Sequence, residues 1–416
     1  MNVLIISQAA RNKGDRAVLY FMLRELYRNG VDEVIVSTGI PAEYADYSLF
    51  TGHKLRFVRQ GWANIVRWLS PDMPVSRALN RLRHPFYAKV LFPRMRRAML
   101  SGHTGKRLWC SGDFSRALDK ADLVLSPGGH RVTTWHVPDA VMPATYDMGV
   151  VLQRRKPLVL WSQSIGPLVF KNPDNRALME RILGQIHSVY IRDSGSLAEL
   201  EAMHVDRNKI FPVPESVFGL SDMLPPGPPP SQRRKLLGVS LYTGRRLTPE
   251  QRNRYILDIT ALLDHAVELG WQVLMVPMER GGLDSGYLRD VIAAAGNKQA
   301  FSMLEGDPLE PEHIRRVSEC AMFVGHKTHS QIFALTLGVP LVAIAYHQKT
   351  LDFMEQFGLR QYCVCDWDMT SSSLIDVFDR VAANMDELSR LTLEKSRQLG
   401  AQARQEFAAM LRRTTA

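Results

Sequence analysis

Short apolar runs alternate with helix-length amphipathic stretches through almost the whole chain, and prolines interrupt the alternation once. No other feature constrains the fold as much. Strands separated by helices pair in parallel, and a parallel sheet needs helices on both faces. In the first half the spacing predicts strands over residues 2–7, 33–37, 122–126, 157–161, 188–192 and 210–213. Helices such as 16–27, 173–185 and 194–203 lie between them. Residues 224–231 then hold five prolines. Neither a helix nor a central strand accepts that run, which reads as a semi-rigid linker. Beyond it the alternation restarts, with strands over 236–241, 272–276, 321–324 and 341–345 and helices over 249–269, 286–295, 328–337 and 371–389. The expected fold class is α/β, with two Rossmann-like domains over 1–223 and 236–370. Their parallel sheets face a cleft, a linker spans 224–235, and a helical tail over 371–416 crosses back to the first domain. Ligands of such folds sit at the strand carboxyl ends.

Composition narrows the class. The chain has 416 residues, 45% hydrophobic and 23% charged, which suits a globular protein and excludes a wholly disordered or collagen-like one. Four cysteines, Cys110, Cys320, Cys363 and Cys365, do not make a disulfide framework. The C-x-C at Cys363 lacks a second Cys or His pair, so it reads as strand residues with reduced thiols rather than zinc ligands. The opening MNVLIISQAARNKGD has no positive region before its apolar run, so it reads as a first buried strand, not a signal peptide. No apolar window reaches the length of a membrane span. The expected location is a reducing cytoplasm.

The net charge is +10, from 52 Lys and Arg against 42 Asp and Glu. A surplus of this size implies an anionic partner. It is concentrated. Residues 73–112 contain no acid but nine bases: Arg77, Arg81, Arg83, Lys89, Arg94, Arg96, Arg97, Lys106 and Arg107.

The predicted strands end in unusual loops. Asn12-Lys13-Gly14-Asp15 follows the first strand. Gly14 permits a tight turn or close approach to a ligand, and Asp15 either caps the helix or accepts a proton from a bound hydroxyl. Pro127-Gly128-Gly129-His130 follows the strand over 122–126, where paired glycines either cradle an anion or make a simple turn. Gln163 lies in Gln163-Ser164-Ile165-Gly166-Pro167, and Arg192 precedes Asp193 at another strand end. Arg192 is either a surface charge paired with Asp193 or an anion clamp. The most informative stretch runs from Phe323 through His326, Lys327, His329 and Ser330 to Gly338 and Val342, and on to Lys349. It parses as strand, polar turn, helix, glycine C-cap and strand. His326, Lys327 and His329 gather at a helix start, which binds anions through its N–H groups.

The usual nucleotide fingerprints are missing, with no P-loop and no G-x-G-x-x-G after the first strand, and no nucleophile elbow occurs. The ordered set N-K-G-D, S-P-G-G-H, W-S-Q-S-I-G-P, Y-I-R-D-S and V-G-H-K-T-H-S-Q-I-F-A-L-T-L-G-V-P, with the later Lys349, resembles the polysaccharide pyruvyl transferases. The resemblance runs from Asn2 to about Gly358 and implies a GT-B-like pair of domains. It also implies phosphoenolpyruvate as co-substrate, without other cofactor or metal. The acceptor it implies is a sugar diol, which becomes a pyruvate ketal in cell-surface or extracellular polysaccharide.

Carried over by position, His329 looks like the family's general acid, Arg192 like its donor-binding arginine and Lys349 like its later basic residue. Lys327 stands where the family usually has arginine, a point charge in place of a two-pronged fork. His326 and Ser330 fall on the same donor side. Gly14, Gly128, Gly129, His130 and Gln163 fall in the acceptor-side loops, and Asp15 or His130 takes the hydroxyl proton. His130 stands where the family usually has a third glycine. The alternative enzyme is a GT-B glycosyltransferase using a nucleotide sugar. Such enzymes often carry a ribose-holding carboxylate on the helix that here reads Ser330-Gln-Ile-Phe-Ala-Leu335, without an acid. A third reading is a binding protein that keeps the fold without the chemistry.

These readings divide the charge. Arg192, Lys327 and Lys349 belong to a small-anion site. The basic stretch 73–112, in an insertion over about 53–112, interleaves with Phe86, Tyr87, Phe92 and Trp109, after Trp62 and Trp68. It reads either as a solvated loop or as a segment lying on anionic lipid headgroups at the inner face of the plasma membrane, where a lipid-linked glycan is presented. The charge no longer points to nucleic acid.

Overall fold

In the computed structural model all residues are described except 63–85, 101–106, 136–138, 140–142, 226, 243–246, 283 and 416. Arg77, Arg81, Arg83, Lys106 and Trp68 lie outside the described residues. Contacts divide the chain into unit 1, comprising Met1–Ala10, Val18–Ser216 and Gln402–Ala416, and unit 2, comprising Arg11–Ala17 and Val217–Ala401. The boundary falls at Ser216, ahead of the proline run.

Unit 1 runs β1 (Asn2–Gln8), α1 (Lys13–Arg28, its residues through Ala17 grouping with unit 2), β2 (Glu33–Thr38), β3 (Lys54–Arg59), α2 (Phe92–Leu100), α3 (Gly112–Lys120), β4 (Leu123–Ser126), β5 (Gly129–Val132), α4 (Ala144–Gln153), β6 (Leu158–Ile165), α5 (Pro173–Gln185), β7 (Ser188–Ile191), α6 (Ser194–Ala202) and β8 (Ile210–Pro212). The sheet is parallel, in the order β3-β2-β1-β4-β6-β7-β8, with β5 paired to the far end of β6. The order reverses direction between β1 and β4, which opens a crevice at their carboxyl ends. β6 is buried at every position, as expected of a central parallel strand covered on both faces. Asn172 starts α5 by accepting from the Asp174 N–H at 2.9 Å, with Pro173 in the first turn.

The strands β3 and β5 were not expected. β3 (Lys-Leu-Arg-Phe-Val-Arg) is a charged edge strand, and β5 has only four residues starting at glycine, so neither gives an apolar run. The end of the tail belongs to unit 1. Its Phe407 meets Trp161 edge-on, with ring centroids 4.7 Å apart, and Phe21 at 5.6 Å. Trp161 is fully buried and donates its indole N–H to the Ser216 hydroxyl at 3.0 Å.

The basic insertion differs from its expected form. A π-helical turn, Tyr87–Leu91, leads into α2, and Tyr87, Phe92, Met95 and Met99 are buried in the unit 1 core. Tyr87 and Phe92 therefore cannot form a lipid-facing belt. Trp109 is exposed, with the Arg94 guanidinium 3.8 Å above its ring, and Arg96 donates to Asn175 at 2.7 Å.

Asp147 lies on α4, whose residues from Ala144 to Val151 are all buried. It accepts from the N–H groups of Trp62 at 3.0 Å and Gly61 at 3.3 Å. Burial nevertheless pushes its carboxyl from an ordinary 3.8 up to about 7. Between those values the unfolded chain is ionised while the folded chain holds the proton. Stability therefore falls as pH rises through this window, by up to ~1.4 kcal/mol per pH unit. Urea midpoints measured from pH 4 to 7 should decline in the wild type and decline less in Asp147→Asn. Equal slopes would contradict the assignment.

Unit 2 repeats the plan with β9 (Leu236–Ser240), α7 (Pro249–Glu268), β10 (Gln272–Met275), α8 (Ser285–Ala294), β11 (Phe301–Met303), α9 (Glu310–Ser318), β12 (Met322–Gly325), α10 (Thr328–Thr336), β13 (Leu341–Ala345), α11 (Gln348–Gln356), β14 (Cys363–Cys365), α12 (Ser371–Ala383) and α13 (Met385–Thr415), the last fifteen chain residues grouping with unit 1. Its sheet is parallel in the order β11-β10-β9-β12-β13-β14. The reversal lies between β9 and β12. The helix expected over 371–389 breaks at Asn384, and a new 31-residue helix begins at Met385. Thr248 and Gln251 form a capping box at the start of α7. Gly338 follows α10 in the left-handed conformation (φ 64°), the C-cap that its sequence predicts. No helix among the described residues is long and apolar enough to cross a membrane.

Candidate active site

The β9–β12 reversal in unit 2 gathers most of the singled-out residues. β12 ends at Gly325, and its neighbours His326 and Lys327 lead into α10. The His326 N–H donates to the Ser240 carbonyl at the end of β9, at 2.8 Å. Gln331 ties the turn down by donating to the carbonyls of Gly325 at 2.8 Å and Ile344 at 2.9 Å. Lys327 occupies the N-cap position of α10 but supplies no side-chain cap. Its ammonium reaches Glu279 at 3.0 Å and Asp284 at 3.3 Å instead. Two carboxylates thus surround the Lys327 ammonium. Ser330 is fully buried and donates to the Lys327 carbonyl at 2.7 Å.

His329 is half-buried in the first turn of α10. The Asn12–Arg16 segment belongs to the same unit and packs against it. A Cβ at Gly14 would lie 1.9 Å from His329 Cγ, so only glycine fits. Asn12 caps α1, its side-chain oxygen accepting from the N–H groups of Gly14 at 2.9 Å and Asp15 at 3.1 Å. The capping role open to Asp15 is therefore filled by Asn12, and Asp15 lies in the first turn. Asn12 also donates to Glu279 at 2.9 Å, which joins this loop to the Lys327 network.

His326 is buried, with Nδ1 hydrogen-bonded to the Tyr255 hydroxyl at 2.7 Å and Nε2 paired to Asp366 at 3.5 Å. These contacts fix the ring of His326 beside the start of α10. Asp366 belongs to the D-x-D of the sequence, and its partner here is this histidine. Tyr242 and Tyr346 stack at 4.1 Å beside His326, and Thr328 bridges Tyr346 at 3.0 Å and His347 at 3.1 Å. Lys349 lies in the first turn of α11, half-buried.

Lys13 is buried, and its ammonium donates to the Pro308 carbonyl at 2.7 Å. Burial lowers its pKa from 10.5 to about 8, against the opposing pull of Glu310 and Asp307. Nearby His313, buried on α9, is lowered to about 3 by burial first and by Lys13 second, so it stays neutral. Arg16 pairs with Glu310, both of them buried. The sequence assigns no role to Lys13, Glu279, Asp284, Tyr255 or Tyr346. A signal existed for Glu279, which follows the carboxyl end of β10. Nothing in the apolar period of α7 marks Tyr255 as a histidine partner.

Unit 1 carries the other motifs. Arg192 pairs with the buried Glu215, not with Asp193, and its Nε donates to Ser164 at 2.9 Å. Its charge is therefore compensated within the unit. Asp193 caps α6 through the Ser196 N–H at 2.8 Å. Gln163 is buried and its amide donates to Ser126 and Pro127, fastening β6 to the loop after β4. A Cβ at Gly128 would lie 2.9 Å from the Ser162 carbonyl oxygen, and Gly129 adopts φ 142°. His130 Nε2 is paired with the Gly166 carbonyl. Gly128, Gly129, His130 and Gln163 thus shape the β4–β6 strand ends of unit 1, while Gly14, Asp15, His329 and Lys349 belong to unit 2.

Two parallel α/β units of this strand order define the GT-B class of fold. Solved structures of that class match over nearly the full chain at low identity. UDP-GlcNAc 2-epimerase from Neisseria meningitidis bound to UDP-GlcNAc has a TM-score of 0.56 at 10% identity, covering 100% of this chain and 99% of that one. Anabaena HepE in complex with UDP and glucose has a TM-score of 0.54 at 13% identity, with coverage of 100% and 99%. The sequence itself matches the polysaccharide pyruvyl transferase family over residues 12–348, and the chain belongs to that family. The amylovoran biosynthesis protein AmsJ of Erwinia amylovora is 22% identical over 308 residues, covering 69% of this chain and 72% of that protein.

Proposed function

We propose that the chain transfers the enolpyruvyl group of phosphoenolpyruvate to two hydroxyls of one sugar, forming a pyruvate ketal during biosynthesis of a cell-surface or extracellular polysaccharide. Family membership supports pyruvyl transfer in polysaccharide assembly, and the donor and the ketal are the added step. One observation carries it, the contact of Gly14 with His329 at the start of α10. This helix has no side-chain cap, so its first N–H groups suit a phosphate or carboxylate. An imidazole at that point is the right kind of acid, since histidine titrates near neutrality.

On this reading His329 protonates the methylene carbon of the donor, which becomes a methyl group, and positive character builds on the adjacent carbon. An acceptor hydroxyl attacks that carbon and gives up its proton, with Asp15 as the base on this loop. The C–O bond to phosphate then breaks and phosphate leaves with the bonding pair. The second hydroxyl attacks the same carbon, loses its proton and closes the ketal. The α10 N–H groups and Lys349 offset the charge on the departing phosphate. Lys327 holds Glu279 and Asp284 and so fixes the turn. The acceptor is a glycan, free or lipid-linked, and the reaction takes place in the cytoplasm.

The test is to incubate the pure protein with phosphoenolpyruvate and a panel of aryl and lipid-linked glycosides and measure phosphate release. Release that requires an acceptor supports the reading. Hydrolysis of a nucleotide sugar, without phosphate release from phosphoenolpyruvate, would replace it.

A further inference from the structure

Unit 1 contains a cavity of 1020 Å³ that no step of the transfer reaction uses. Arg107, Arg155, Lys156, Arg181, His187 and Lys209 line it, and no Asp or Glu does among the described residues. Pro157, His187 and Lys209 line it, and each immediately precedes a strand: β6, β7 and β8. The cavity therefore opens at the amino edge of the sheet, opposite the carboxyl ends where ligands of this fold class bind.

The charges are poorly compensated. Arg154 also lines the cavity but pairs with Asp119 at 2.7 Å, so it is discounted. Lys156 donates to the carbonyls of Asp119 at 3.1 Å and Ala121 at 2.8 Å, and Lys209 to that of Gly184 at 2.8 Å. These bonds orient the ammonium groups without neutralising them. Arg107, Arg155 and Arg181 have no ion pair among the described residues. Arg155 stands just past the end of α4 with φ 53°, a left-handed position where glycine is the easier fit.

Arg107, Arg155 and Arg181 are exposed around one concavity, where their like charges repel one another and together attract anions. A bound anion relieves that repulsion. A monoanion would leave most of the charge uncompensated, whereas guanidinium forks match phosphate oxygens in pairs. Ala98, Met99, Leu152 and Ile186 supply an apolar wall to the same cavity. We propose that this cavity is a second binding site of the protein, separate from the transfer site, and that it takes a diphosphate-bearing ligand with an apolar or sugar extension.

The ligand chemistry has two sources, a free diphosphate compound or a lipid-diphosphate headgroup. The experiment separates them. Calorimetric titration with inorganic pyrophosphate should give saturable binding that weakens with salt. Arg107→Ala/Arg155→Ala/Arg181→Ala should lose more than about tenfold in affinity, and Arg181→Ala alone, on the exposed side of α5, about two- to fivefold. His329→Ala should bind pyrophosphate as the wild type does, which keeps this test independent of the transfer reading. Phosphatidylcholine vesicles doped with farnesyl diphosphate should sediment the wild type if the source is a lipid headgroup, and not if it is a free compound. Either vesicle result is compatible with the site when the arginine dependence holds. Pyrophosphate affinity equal in the wild type and in a folded triple or single arginine variant overturns the proposal. So does the absence of binding by the wild type.

Discussion

His329→Ala should reduce pyruvyl transfer by about 10²–10⁴-fold, the usual contribution of a positioned acid. Its melting temperature should stay close to that of the wild type. The side chain is half-buried at a helix start and its removal opens space toward the Asn12–Arg16 loop rather than in a core. The loss should appear in kcat with little change in KM, because the α10 N–H groups proposed to receive the donor remain. A parallel fall in stability and activity would instead make His329 a packing residue. Near-normal turnover in a well-folded variant would remove it from the chemistry.

Gly14→Ala should be the most damaging change of a single methyl group. The added carbon would fall 1.9 Å from Cγ, 2.2 Å from Nδ1 and 2.4 Å from Cβ of His329. No rotation of the imidazole clears its own Cβ, so the α1 loop or the start of α10 must shift. Overpacking of this kind typically costs about 1–3 kcal/mol. Activity should drop by at least about 10²-fold, since displacement of a positioned acid by 1 Å is enough for that. A double-mutant cycle isolates the contact. Combining Gly14→Ala with His329→Ala should recover part of the stability, because the Cβ at position 329 stays in the way, and combining it with His329→Gly should recover most. Neither pair should regain transfer. Additive destabilisation in the cycle would mean that the two residues do not touch.

The sequence conveyed the β/α rhythm because parallel strands such as Leu341–Ala345 are buried on both faces and read as apolar runs. β3 escaped notice because an edge strand alternates Lys54 and Arg56 with apolar residues, and β11 because three residues carry no period. The helix start at His326–Ser330 was legible as a cluster, but the roles inside it were not. The ion pairs of Lys327 were not legible, since its partners Glu279 and Asp284 are more than forty positions earlier in the chain. Arg192 likewise meets Glu215, 23 residues on, and His326 meets Tyr255 and Asp366 on two other elements. Pairings between distant strand ends depend on sheet order, which spacing along the chain does not reveal. The aromatic residues of the basic insertion misled for a related reason: Tyr87 and Phe92 look interfacial by composition, and only the packing of α2 against the core shows them buried.

The nucleotide-sugar alternative draws on the fold alone, as the structural likenesses at 10–13% identity do. Helix α10 carries no acid to hold a ribose. The two chemistries leave different products. Transfer from phosphoenolpyruvate in deuterated water should place one deuterium in the new methyl group, since the donor's methylene carbon takes its third hydrogen from an exchangeable acid. The decisive measurement is therefore mass spectrometry and proton NMR of the acceptor after reaction in deuterated water, with wild type and His329→Ala side by side. The account predicts a singly deuterated methyl ketal on the sugar with the wild type and at least about a hundredfold less of it with the variant. An unmodified acceptor in both, or one extended by a sugar from a nucleotide donor, would contradict it.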